Sequence, residues 1–222
     1  MNRSKLLTML DYAMLAYSDT PTSNRFKKIV FENCLANGVQ YYVGQENSTL
    51  TIAFRGTDSF RDLLTDAEFW KMSIPYDNAD SGIRVHSGFL KAYKRDCVRD
   101  IIRSFVTDEI KTIYITGHSY GAALSLLCAV DLQYNYPGKY YEVALFGCPR
   151  VGNRAFAKSY NKRLIKTLRI ENGNDMVSKL PFTWMGFEHV GIRIHIGFPR
   201  IAGLYSLKEH NVQRYYERLW KL

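Results

Sequence analysis

The stretch from Thr112 to Tyr134 constrains the fold of this chain more than any other. Thr112-Ile113-Tyr114-Ile115-Thr116 is a short β-branched run, the pattern of a strand buried in a sheet. Tyr120 to Tyr134 carries Ala122, Ala123, Leu126, Leu127 and Val130 at helical spacing. Between them stands Gly117-His118-Ser119-Tyr120-Gly121, a G-x-S-x-G sequence. A strand that turns straight into a helix over a serine strains that serine and projects its hydroxyl beyond the sheet edge. Gly117 and Gly121 clear side chains from the place where strand and helix pass. The helix start adds free amides and a partial positive charge beside Ser119. A capping serine in a common tight turn would carry the same five letters. The strand before and the helix after are what argue for a nucleophile.

The rest of the chain fits a sheet around that turn. An amphipathic first helix carries Leu6, Leu10, Ala13, Met14 and Tyr17 on one face. Strand-like runs follow at Lys28–Glu32, Val39–Gly44 and Thr49–Phe54, with the hairpin signal Asn37-Gly38 between the first two. The segment from Gly56 to about Tyr76 is irregular. A helix is expected from Ser87 to Phe105, a strand at Val143–Phe146 and a helix at Asn153–Leu164. Strands are expected at Ile165–Ile170 and Gly191–Ile196, and a last helix at Leu207–Lys221. Alternating strands and helices predict one α/β domain over 1–222, its sheet mostly parallel, helix-covered, and antiparallel at one edge.

A serine hydroxyl needs a base, and the base usually needs an acid. In this fold class the acid and then the histidine follow the serine along the chain. Asp175 lies in the glycine-containing loop Glu171-Asn172-Gly173-Asn174-Asp175 after a strand; Glu171 is its rival, nearer the strand end. His86 and His118 precede Ser119, which breaks the order. His195 sits in an alternating strand and reads as structural. His189 and His210 remain. Ser206 and Glu209 have capping-box spacing, which puts His210 in the first turn of the last helix. There the helix dipole disfavours an imidazolium and leaves a neutral base.

Several separated motifs together resemble the class 3 lipases, the fungal-lipase-like branch of the α/β-hydrolases. They are Ile52-Ala53-Phe54-Arg55-Gly56-Thr57, Val85-His86-Ser87-Gly88-Phe89, the serine turn, Phe146-Gly147-Cys148-Pro149-Arg150-Val151-Gly152-Asn153, and Asn174-Asp175-Met176-Val177 with Leu180-Pro181. The resemblance implies an α/β-hydrolase fold and ester hydrolysis on acylglycerols or other lipid esters. It implies a triad of Ser119, Asp175 and His210, with Tyr215-Tyr216 shortly after the base and His189 as a non-catalytic histidine. It also implies an oxyanion hole from the amide of Tyr120 and from Thr57, and in this family the segment over 58–70 often forms a lid, a fixed surface helix being the alternative. In that segment Phe60, Leu63, Leu64, Phe69 and Trp70 are interspersed with Arg61, Asp62, Asp66 and Glu68, and Leu63 replaces the family's usual tryptophan. A non-catalytic lipid- or protein-binding module on the same scaffold is the competing expectation.

Composition narrows the partners. The net charge is +9, but the basic residues are scattered in ones and twos, unlike a nucleic-acid surface. Such scattered charge suits a solvated surface first and contact with anionic lipid second; a lipid or small ester substrate, with transient contact at a lipid interface, is what the resemblance implies. No apolar run is long enough for a transmembrane helix. Cys34, Cys97, Cys128 and Cys148 lack metal-site spacing, so no metal or cofactor is expected, and nothing in their pattern asks for a disulfide. The basic start Met1–Lys5 leads into an apolar run that Asp11 ends too early for a signal peptide, so an intracellular protein is expected.

Overall fold

The computed structural model describes residues 1–34, 38–57, 72–75, 78–199, 201 and 203–222. Strands β1 (Lys28–Cys34), β2 (Val39–Glu46), β3 (Thr49–Phe54), β6 (Thr112–His118), β7 (Tyr140–Phe146), β9 (Thr167–Asn172) and β11 (Ile192–Ile196) form a seven-stranded sheet in the order β1-β2-β3-β6-β7-β9-β11. Two-residue strands β4 (Met72–Ser73), β5 (Val85–His86), β8 (Gly152–Asn153) and β10 (Phe187–Glu188) make a second, small sheet in the order β10-β8-β5-β4. In the large sheet β1, β2 and β3 pair antiparallel, and every pairing from β3 to β11 is parallel. This is the α/β sheet with one antiparallel edge that the sequence predicts.

Strand alternation sends side chains to two apolar layers. Ile52, Phe54, Ile113, Ile115, Val143 and Leu145 pack under α2 (Ser87–Tyr93), α4 (Tyr120–Asn135) and α5 (Arg154–Arg163). Ala53, Ala144, Phe146 and Ile170 face the other way, under α1 (Arg3–Leu15) and α6 (Val212–Trp220). Residues Gly121 to Leu132 of α4 are all buried. A helix apolar all round belongs inside a protein, and here it pins the serine turn to the sheet.

Three expectations are corrected. The helix foreseen over Ser87–Phe105 is broken: α2 ends at Tyr93 and α3 (Arg99–Ser104) starts after a turn in which Val98 N–H donates to Arg95 O at 2.9 Å. Cys97 lies in that break and is joined to Cys34 of β1 by a disulfide with Cα atoms 6.0 Å apart. The bond ties the edge strand to the helical layer, so a disulfide is present where the cysteine pattern asked for none. The last helix also begins later than foreseen. Residues Lys208–His210 form a single 3-10 turn, and Asn211 caps α6 by accepting the N–H of Gln213 at 2.9 Å. Ser206 Oγ does accept the Glu209 N–H, at 3.3 Å, but the Glu209 carboxylate binds Arg214 and Arg218 instead of closing a capping box. His210 therefore precedes the helix and does not sit in its first turn. The expected lid over 58–70 lies outside the described residues.

Candidate active site

Ser119 links β6 to α4 with φ 59° and ψ −126°. Only Asn47 shares a positive φ with it among the described non-glycine residues. Such a conformation costs of order 1–3 kcal/mol and persists only where the surroundings impose it. Here Ser119 N–H donates to Phe146 O on β7 at 2.9 Å, and its carbonyl accepts the N–H groups of Ala122 and Ala123. A Cβ on Gly117 would lie 2.5 Å from the carbonyl carbon of Gly121, and one on Gly121 would overlap the carbonyl oxygen of Phe54. The glycines thus let β6, α4 and the end of β3 close on one point. Ser119 Oγ is buried and has no hydrogen-bond partner among the described residues.

Asp175 follows β9 and is fully buried. Its Oδ1 accepts Val177 N–H at 2.9 Å; its Oδ2 accepts His210 Nδ1–H at 2.8 Å and the Tyr215 hydroxyl. The chain just before His210 is stitched to this loop, with Ser206 N–H donating to Asn174 O at 2.9 Å and Met176 N–H to Ser206 O at 3.3 Å. A carboxylate only accepts, so Nδ1 of His210 carries the proton and Nε2 is the basic nitrogen. Gly147 closes the gap to Ser119. It follows Phe146, which holds the Ser119 amide, and a Cβ there would lie 2.8 Å from His210 Cε1 and 3.0 Å from Asp175 Oδ2. The structure thus brings Ser119, Asp175 and His210 to one sheet edge, beyond the C-terminal ends of β6, β7 and β9.

Tyr120 opens α4, so its N–H has no carbonyl one turn back to bond. β3 ends at Phe54, and Thr57 follows three residues on. A Cβ on Gly56 would sit 2.9 Å from His118 O, which sets the Gly56-Thr57 backbone against the serine turn.

The rivals have other employment. Glu171 is buried on β9 against Arg169 and Lys179, with Arg193 Nε at 3.1 Å. His189 Nε2–H donates to Ser178 O at 2.8 Å, next to that cluster. Burial, then the charges of Arg169 and Arg150, push His189 well below the usual histidine range. His86 is buried, stacks on Phe89 at 4.0 Å and caps α2. His195 bonds the Phe198 carbonyl at 2.9 Å. The place of Gly147 between Ser119 and His210 escapes sequence reasoning, although a glycine at a strand end is a visible hint.

The sheet and its strained serine turn define an α/β-hydrolase. Comparison then places the chain more closely. Residues 51–185 match the family Lipase (class 3). The chain is 36% identical to a lipase of Rhizomucor miehei over 154 residues, 67% of this chain and 42% of that protein. It is 33% identical to a secreted mono- and diacylglycerol lipase of Malassezia globosa over 175 residues, 72% of this chain and 57% of that protein. A solved triacylglycerol lipase, described as having a serine protease triad at its catalytic centre, superposes with a TM-score of 0.77. That match is 26% identical and covers 93% of this chain and 92% of the other. This chain belongs to the class 3 lipase family. It spans about half the length of the two relatives. The same relatives overturn the expectation of an intracellular protein, because the Malassezia protein is named as secreted. The Cys34–Cys97 disulfide points the same way, since such bonds persist in oxidising compartments.

Proposed function

We propose that this chain is a serine-dependent carboxylic ester hydrolase acting on acylglycerols or related lipid esters through an acyl-enzyme. The observation that carries the reading is the His210–Asp175 bond of 2.8 Å, lying against Gly147, the residue after the Phe146 carbonyl that holds the amide of a strained, buried Ser119. His210 Nε2 takes the Ser119 proton as Oγ attacks the ester carbonyl. Asp175 holds Nδ1–H and stabilises the imidazolium that forms. Negative charge develops on the former carbonyl oxygen, where the Tyr120 amide and Thr57 would meet it. Collapse expels the alcohol, which takes its proton from His210. Water, activated by the same imidazole, then releases the acid.

The relatives support a lipid ester as substrate, since their names specify lipases and mono- and diacylglycerol lipases. The positive net charge favours transient contact with an anionic lipid surface. An ester panel of varied acyl length and head group, run below and above the aggregation limit of each substrate, tests the proposal. Turnover of at least one class is expected, and Ser119→Ala removes it by up to about a millionfold. A Ser119→Ala protein with wild-type turnover would overturn the mechanism, and a chain inert on the whole panel would favour a binding module.

A further inference from the structure

His118, excluded as a base by its place before Ser119, is built into the site in another way. Its ring stacks on the His210 ring, with centroids 4.5 Å apart and planes 29° from parallel. Its Nε2 lies 2.7 Å from the main-chain oxygen of His210, and its Nδ1 lies 2.8 Å from the Tyr17 hydroxyl. A carbonyl oxygen cannot donate, so Nε2 carries the proton. Nδ1 is then an acceptor, and Tyr17 O–H donates to it. The opposite tautomer would point a lone pair at a carbonyl oxygen and leave Tyr17 facing an N–H. The His210 carbonyl therefore selects the tautomer of His118, and Tyr17 O–H completes it by satisfying Nδ1. Tyr215 closes the other side edge-on, with centroids 5.6 Å apart, while its hydroxyl binds Asp175.

This arrangement meets a specific need. His210 is not inside a helix; it ends a 3-10 turn and is followed by extended Asn211. Asp175 grips one ring nitrogen, which leaves the main chain and the tilt of the ring to be set by something else. His118 supplies both restraints from the residue next to the nucleophile, so base and nucleophile are positioned by one backbone turn. Burial, then the nearby charge of His210, hold His118 well below the usual histidine range, so it stays neutral when His210 takes up a proton.

We propose that His118 is a positioning residue, anchored at Nδ1 by Tyr17, that holds the His210 backbone and ring in the orientation from which Nε2 serves Ser119. The inference rests on the triad reading above. Kinetics on a short-chain p-nitrophenyl ester below its aggregation limit test it, with wild type, His118→Phe, His118→Gln and Tyr17→Phe, each checked for folding by circular dichroism. Phenylalanine keeps a ring but donates no bond; glutamine keeps an N–H donor without the ring. His118→Phe should lose kcat roughly ten- to a hundredfold, by analogy with the loss of a hydrogen bond that orients a metal-bound histidine. KM should stay within about twofold, the mark of a loss confined to the chemical step. His118→Gln should recover most of the loss. A folded His118→Phe with wild-type kcat, or a His118→Gln as slow as His118→Phe, would overturn the proposal. If His118→Phe does not fold, Tyr17→Phe decides: a kcat loss of about threefold or more supports the proposal, and wild-type kcat overturns it. A wild-type protein that neither turns over ester nor reacts with a serine-directed phosphonate would refute the triad itself; an active wild type with unaffected variants refutes only the role of His118.

Discussion

Asp175 and His210 stand thirty-five residues apart in the chain and meet through a bond of 2.8 Å between Oδ2 and Nδ1. Of the histidines that follow Ser119, His210 alone has a hydrogen bond to a carboxylate among the described residues; His189 and His195 bond main-chain carbonyls. His210→Ala should therefore lose at least about a thousandfold in kcat, while a folded His189→Ala keeps most of it. Steady-state kinetics on the two purified variants check this, and the reverse ranking would show that the base has been misassigned.

Gly147 has φ +58°, and a Cβ on it would run into both His210 and Asp175. Gly147→Ala adds a methyl 2.8 Å from His210 Cε1 and forces a left-handed backbone on a residue with a Cβ. The backbone term alone costs roughly 1–2 kcal/mol. The variant should show a lower urea midpoint together with a fall in kcat larger than its change in KM. Unchanged kcat in the variant would mean that the imidazole tolerates displacement at this contact.

Buried His118 and His189 are both held below the ordinary histidine value of 6.5. In the unfolded chain they take up protons near that value; in the native state they resist. The unfolded state binds more protons there, so stability is complete above about pH 6.5 and falls as pH drops below it. Each histidine contributes at most about 1.4 kcal/mol per pH unit in that window. Urea titrations between pH 7.5 and 5 should show the decline, with a shallower slope in His189→Gln. A slope as steep in the variant as in wild type would assign the acid sensitivity to other groups.

The disulfide joins residues sixty-three positions apart. Restricting so long a loop in the unfolded chain stabilises the fold by up to about 4 kcal/mol in the chain-entropy account. Thermal melts with and without reductant should separate accordingly, and coincident melts would show that the bond contributes little.

What was legible in the sequence follows from how local each feature is. The serine turn is written in one unbroken stretch from Thr112 to Tyr134, so its strand, glycines and helix are read directly. The antiparallel edge was legible through the strand runs on either side of Asn37-Gly38. The break between α2 and α3 was not, because Cys97 answers to Cys34, far away in the chain. The small sheet was hidden because two-residue strands carry no period. The start of α6 is not legible because Ser206 and Asn211 both suit a cap, and their competition is settled by Asn174 and Glu209 contacts that spacing does not reveal. His118 was set aside because its partners, Tyr17 and the His210 carbonyl, lie about a hundred residues away on either side. Asp175 and His210 are reachable through chain order and family resemblance, which also sets His189 aside; the buried cationic neighbours that occupy Glu171 and surround His189 are not legible.

The central claim is that Ser119 is a nucleophile activated by His210. Incubation of the purified protein with a serine-directed alkyl phosphonate, followed by peptide mass spectrometry, tests it most directly. The account predicts a single adduct on the peptide carrying Ser119, formed far more slowly in His210→Ala and absent in Ser119→Ala. No adduct in the wild-type protein, or an adduct that survives in Ser119→Ala, would contradict it.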